Sequence, residues 1–211
     1  MTGPDLDAVG PTDNSYAGAD VYFSVDIEAD GPVPLVHSML SLGACVAATY
    51  GGGVFRRHEP RDATFYTELR PQGTEYVAEA LAVAQLDRDR LLREGLDPAE
   101  AMRQFAAWVT TSARGGQPVL VAYPASFDWP WVAAYLGRYT PGIAPFGFSS
   151  VLDMKTMYLA KASVRIGKAA KRAMPAHLLS SRPHTHHALD DAVEQAELFA
   201  NLWEWPGPPT G

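Results

Sequence analysis

The sequence predicts one α/β domain whose mixed sheet opens as an antiparallel meander, continues in parallel strands and is flanked by helices. Three observations predict it. The 211 residues, 47% hydrophobic and 19% charged, suffice for one well-buried core and are short for two. Up to residue 69 apolar residues recur with the period of two that marks strands, and beyond it helical periodicity alternates with a short, wholly apolar run. No segment repeats, so residues 19–205 are read as a single domain between a flexible leader, 1–18, and a tail, 206–211.

Residues up to Gly18 are rich in Gly, Pro, Asp and Ser and lack periodicity, which leaves them outside the expected fold. Asp20 to Ile27 reads as the first strand and His37 to Ala48, with its small and β-branched residues, as the second. Gly51, Gly52 and Gly53 turn the chain, and Ala63 to Leu69 alternates well enough to complete the meander. Asp97-Pro98-Ala99-Glu100 is a capping box with proline at the first helical position, followed by Met102, Phe105, Ala106 and Val109 on one face. Gly115 and Gly116 end that helix. Pro118 to Tyr123 is an apolar run of the kind found in a strand covered on both faces. A helix is expected to follow from Asp128, with Trp131, Val132, Tyr135 and Leu136 facing inward. The last begins near Leu189 and carries Val193, Ala196, Ala200 and Trp203 at helical spacing.

Composition narrows the function. The balance of 17 basic against 24 acidic residues, net charge −7, argues against coating long nucleic acid but not against gripping a few nucleotides. The distribution is uneven: Lys155, Lys161, Arg165, Lys168, Lys171, Arg172 and Arg182 follow one another with no Asp or Glu between them. Such a run is a solvated face or a track for phosphates. Cys45, the single cysteine, lies in the apolar stretch Leu40 to Ala48, so it reads as a core thiol and redox chemistry is not expected. No run of 18 apolar residues occurs, and the opening Met-Thr-Gly-Pro-Asp-Leu-Asp lacks the basic-then-apolar order of a secretory signal. No membrane association and a cytoplasmic location are expected.

The informative chemistry begins with Asp26 and Glu28 at the end of Val21-Tyr22-Phe23-Ser24-Val25. Side chains two apart on a strand share a face, so these carboxylates either point into water or repel one another until a cation lies between them. Hard oxygen ligands suit Mg²⁺ or Mn²⁺. Asp128, after the buried run and Phe127, can cap the helix it opens, serve as a ligand, or do both. Asp190 and Asp191 lie in the first turn of the final helix, where the macrodipole favours negative charge in any case. His184, His186 and His187 precede them. Zinc is the weaker option for these histidines, because the nearest softer ligand, Cys45, is remote in sequence. A histidine just ahead of a carboxylate-bearing helix also suits proton transfer, since imidazole titrates near neutral pH.

The order of these segments resembles the DEDD superfamily of 3′-to-5′ exonucleases in its histidine branch, which includes ribonuclease T, oligoribonuclease and the proofreading subunit of bacterial replicative polymerase. Asp26-Ile27-Glu28 matches the first motif, Phe127-Asp128 the second, and His186 followed by four residues and Asp191 the third. Neither His184 nor His187 has an aspartate at that spacing. The resemblance implies a ribonuclease H-like fold and a single-stranded nucleic acid 3′ end as substrate, with RNA or short oligonucleotides favoured over DNA. It also implies two divalent ions, Mg²⁺ or Mn²⁺. Asp26 would bridge them, Glu28 and Asp191 would hold the one beside the attacking water, Asp128 would help hold the second, and His186 would be the general base. Ile27, Tyr123, Phe127 and Trp129 would contact the terminal nucleotides, or serve as core, while Lys168, Lys171 and Arg172 follow the phosphates. A homodimer is among the expected assemblies, since several relatives are dimers. One departure stands out: the second motif often carries His-Asn before the Phe-Asp, and Tyr123-Pro124 stand here instead, which should alter substrate contact and spare the carboxylates. Two alternatives share the same residues. One is a non-catalytic nucleic-acid-binding or polymerase-accessory module, the other a metal-dependent phosphatase acting on small molecules.

Overall fold

The structure, a computed structural model, describes residues 13–208. Four strands, β1 (Asp20–Ala29), β2 (Met39–Gly51), β3 (Val54–Arg57) and β4 (Thr64–Glu68), precede three helices, α1 (Ala78–Ala84), α2 (Arg88–Glu94) and α3 (Pro98–Ser112). Strand β5 (Gln117–Ala122), helix α4 (Ala125–Tyr139), strand β6 (Val151–Asp153) and helices α5 (Met154–Ala162) and α6 (Ala188–Glu204) complete the chain. Three short 3-10 turns lie between α5 and α6. The sheet runs β3-β2-β1-β5-β6, with β4 pairing β2 beside β3. β1 and β2 are antiparallel, whereas β1–β5 and β5–β6 are parallel, which is the mixed sheet the sequence predicts.

β1 is central because both its faces are covered. Val21, Phe23, Val25 and Ile27 join α3 and α4 in one core, where Trp131, Val132, Tyr135 and Leu136 are buried. Tyr22 turns to the other face and packs with Val193, Phe199 and Leu202 of α6 and Met154 and Tyr158 of α5. By the period of two, Asp26 and Glu28 share the α6 face with Tyr22. Gly43, the register partner of Asp26, lets α6 approach: a Cβ there would lie 2.2 Å from the Ala188 carbonyl carbon. Cys45 is fully buried beneath the same helix, as expected of a core thiol.

Several expectations need correction. The edge strand β3 lies in a stretch not read as structured, because its Val-Phe-Arg-Arg is mostly exposed and carries little alternation. The seven-residue helices α1 and α2 were also not expected; each is too short to show a helical stripe, and together they bury Ala84 and Leu91 against Leu40. Asp97 does cap α3, accepting from the Ala99 and Glu100 N–H groups, but no reciprocal box closes, since Glu100 turns to Arg103 and Gln104. Helix α4 starts at Ala125 and not at Asp128, so Asp128 sits inside the first turn and caps nothing; Pro124 holds the N-cap position without a side-chain bond. Of the leader, residues 1–12 lie outside the described residues, as do 209–211 of the tail. Asp13 to Gly18 pack on the body: the Tyr16 N–H donates to the Arg114 carbonyl at 3.0 Å, and its ring lies 5.2 Å from the Arg114 guanidinium carbon.

Candidate active site

A cleft of about 500 Å³ opens at the carboxyl end of β1. Asp26 and Glu28 line it from the strand, Tyr123, Pro124, Phe127 and Asp128 from the turn into α4, and His184, His186 and Asp191 from the entry to α6. One oxygen each from Asp26, Glu28 and Asp191 lie within 4.8 Å of one another. With the turn into α4, three segments far apart in sequence therefore meet at the carboxyl end of the central strand. Asp128 stands further back, reaching over from the opposite layer, and its Oδ1 accepts the Ile27 N–H at 3.2 Å.

The backbone holds this arrangement before any ligand arrives. Asp191 is fully buried at the start of α6, and its two oxygens accept the N–H groups of Thr185 at 2.8 Å and His186 at 2.9 Å. Those bonds fold the histidine loop back over the helix terminus, with His186 in the left-handed region at φ 57°. His184 Nδ1 lies 3.1 Å from Asp191 Oδ2. His187 turns away, stacking on Tyr66 with ring centroids 4.5 Å apart.

Crowded, buried carboxylates resist ionisation. Burial pushes Asp26 well above the usual carboxylate range, and the charges of Asp128, Glu28 and Asp191 add to it, against some relief from Lys171. Burial, then Asp191 and Asp128, raises Glu28 to about 8. Asp128 rises to about 7, chiefly by burial, with the Ile27 N–H and Lys171 pulling the other way. Negative charge concentrated here without matching cations fits a divalent ion. The donor set is oxygen only, which suits Mg²⁺ or Mn²⁺.

Sequence reasoning missed Gln195. Buried to 1% exposure one turn after Asp191, it donates through Nε2 to Asp26 Oδ1 at 2.6 Å and accepts the Tyr123 N–H on Oε1 at 2.8 Å. One amide thereby fixes the first carboxylate and the turn that precedes Phe127. The i, i+4 spacing from Asp191 was the available signal, but a glutamine on an amphipathic helix carries no mark of its partner. Lys171 was anticipated only as a phosphate contact; it pairs with the buried Glu194 and lies 5.4 Å from the Tyr123 ring centroid.

The anticipated substrate contacts divide. Phe127 lines the cleft and is 42% exposed, free to meet a base. Tyr123 lines it too, its hydroxyl bonded to the Ala169 carbonyl. The Ile27 side chain is buried in the α3–α4 core, which leaves its backbone at the cleft. Trp129 packs against that same core and is absent from the cleft lining, because the helical turn carries it away from Asp128. Lys168 and Arg172 are exposed on 3-10 turns beyond the lining. Within the basic run, Lys161 is structural: its Nζ donates to the carbonyls of Leu202, Trp203 and Trp205 at the end of α6.

Among the described residues no helix is long and apolar enough to cross a membrane. Residues 22–203 match the family described as 3′-5′ exoribonuclease Rv2179c-like domain. The chain is 37% identical over 186 residues to the 3′-5′ DNA exonuclease Cap18 of Escherichia coli, covering 85% of this chain and 90% of that protein. Its fold is similar to the nuclease domain of 3′hExo, a DEDDh family member bound to rAMP, with a TM-score of 0.63 at 12% identity over 90% of this chain and 94% of that one. Cell-death related nuclease 4 is similar at a TM-score of 0.61 and 11% identity, over 89% and 64% of the two chains. The family match over residues 22–203 and the relative at 37% identity favour an exonuclease over a non-catalytic module or a small-molecule phosphatase. The chain belongs to the Rv2179c-like family of 3′-5′ exoribonuclease domains and is a 3′-5′ exonuclease.

Proposed function

We propose that this exonuclease is metal-dependent, takes the 3′ end of single-stranded nucleic acid into the cleft, and removes nucleotides with Asp26, Glu28, Asp128 and Asp191 as metal ligands and His186 as general base. The observation that carries this reading is the convergence of the acidic trio on one preformed edge, beside a histidine loop anchored to one of its members. When bound, a pair of Mg²⁺ or Mn²⁺ ions would lower the pKa of the attacking water and neutralise charge on the phosphate and leaving oxygen. The residues divide the remaining tasks. Asp26, held by Gln195, presents a carboxylate beside those of Glu28 and Asp191. His186 sits at the cleft wall, where its imidazole can take a proton from the water.

The rest of the wall explains how a strand end would be held without reading its sequence. Val77, Ala80, Val83, Pro124 and Phe127 give an apolar surface for a base to stack on. Lys168, Lys171 and Arg172, carried on two neighbouring 3-10 turns, would follow the phosphates upstream of the terminus. RNA is the first substrate to test, in keeping with the family description, while the 37% identity to a DNA exonuclease favours DNA as the second reading.

Matched RNA and DNA single strands labelled at the 5′ end, incubated with Mg²⁺, should shorten one nucleotide at a time, and chelation should stop it. Binding without shortening would defeat the proposal, and cleavage of a generic phosphomonoester alone would transfer the ions to a different task. His186→Asn tests the base, since asparagine tolerates the left-handed backbone at this position. Turnover should fall by about two to four orders of magnitude with little change in melting temperature. Near-wild-type turnover would assign the base elsewhere.

A further inference from the structure

We propose that His184, His186 and Asp191 form a second divalent-cation site, selective for Zn²⁺ over Mg²⁺ and overlapping the acidic trio at Asp191, whose occupation arrests the exonuclease. The arrest rests on the roles of His186 and Asp191 proposed above, whereas the site itself stands on geometry alone. A nitrogen from each imidazole and an oxygen of Asp191 lie within 4.8 Å of one another. The 3.1 Å between His184 Nδ1 and Asp191 Oδ2 is close to the roughly 3.3 Å that separates two ligand atoms about 2.0 Å from a tetrahedral ion. The two rings lie 4.6 Å apart at 72°, and a nitrogen of each comes within 4.8 Å of the other and of the carboxylate.

The site is also built in advance. Asp191 is fully buried and pinned by two backbone N–H groups of the same loop that carries the histidines. The left-handed turn at His186 brings positions 184 and 186 together on that carboxylate. His184 is about half exposed at its side chain, 48%, which keeps the site open to solvent. His187 takes no part, being stacked on Tyr66. Two imidazoles and a carboxylate with a fourth position open make a zinc-type donor set, and Mg²⁺, which prefers oxygen, competes poorly for it. The carboxylate supplies the ligand that the remote and buried Cys45 could not. An ion held here ties up the His186 lone pair and one Asp191 oxygen, which withdraws the base and one carboxylate from the oxygen site together.

The test is calorimetric titration of the full chain with Zn²⁺ in a background of millimolar Mg²⁺, alongside visible absorption with Co²⁺ as the probe. One Zn²⁺ per chain is expected, with the intense d–d bands of four-coordinate Co²⁺. His184→Ala should weaken Zn²⁺ binding by more than about tenfold, the least that loss of even an outer partner costs. Asp26→Asn should leave Zn²⁺ binding in place. No Zn²⁺ uptake in Mg²⁺ overturns the site, as does binding that Asp26→Asn removes and His184→Ala does not. For the arrest, Zn²⁺ should stop 3′ shortening by the wild type at concentrations that leave His184→Ala at its own zinc-free rate. A chain that shortens strands in Mg²⁺ but ignores Zn²⁺ loses only this inference. One that binds Zn²⁺ through His184 without ever shortening a strand keeps the site and loses the nuclease mechanism.

Discussion

Asp26→Asn is expected to lower exonuclease activity by at least about a thousandfold, the upper range for losing one electrostatic group at a reacting centre. Asparagine keeps the shape and still offers Gln195 an acceptor, so the fold should persist while the charge shared by Glu28 and Asp191 disappears. Mn²⁺ titration should lose at least one ion. The same substitution has a second signature in metal-free protein. Folded Glu28 holds its proton up to about 8 against an ordinary value of 4.5, and Asp128 to about 7 against 3.8, with Asp26 raised as well. Between those limits the native state binds more protons than the unfolded chain, so stability must fall as pH rises from the ordinary carboxylate range toward 8. Metal-free wild type should therefore melt lower at pH 8 than at pH 5, and Mn²⁺ should restore more at pH 8. Asp26→Asn should flatten that slope by removing the raised titration of Asp26 itself. Unchanged two-ion binding, or a slope identical to wild type, would remove Asp26 from the centre of the site.

Gly43→Ala should be nearly as damaging, although Gly43 belongs to no motif. The added Cβ would lie 2.2 Å from the Ala188 carbonyl carbon, 2.3 Å from the Leu189 nitrogen and 2.4 Å from the Ala188 oxygen. All three are backbone, so no side chain can swing aside. The first turn of α6 must move, and Asp191 rides on it. Misplacement by about 1 Å can cost on the order of a hundredfold in rate, and forcing a methyl into packed structure costs about 1–3 kcal/mol. Urea unfolding would report the second effect and strand shortening the first. Wild-type values for both would mean that the strand and helix do not meet as closely as 2.2 Å implies.

The legible part of the site was local. Asp26 and Glu28 on one face follow from the strand period, and Asp191 at a helix start follows from apolar spacing beyond Ala188. The order of motifs added Asp128 and singled out His186, through a resemblance to nucleases that carry such segments in the same order. What stayed hidden depends on contacts between remote residues. Gln195 meets Asp26 across 169 positions, and nothing around either residue announces the other. Phe127 faces the cleft while Trp129 joins the core because α4 begins three residues earlier than the apolar pattern suggests. His184 reaches Asp191 through a turn that only the folded loop defines.

From its residues alone this chain declares a mixed α/β domain and the five side chains expected to carry chemistry, since periodicity and motif order are properties of neighbours along the backbone. Tertiary structure decided the distances: which oxygens crowd until they hold protons, which amide fixes them, and which histidine leans on Asp191. Those quantities arise where β1, α4 and α6 pack together, and packing is set by the whole molecule and not by any one stretch of it.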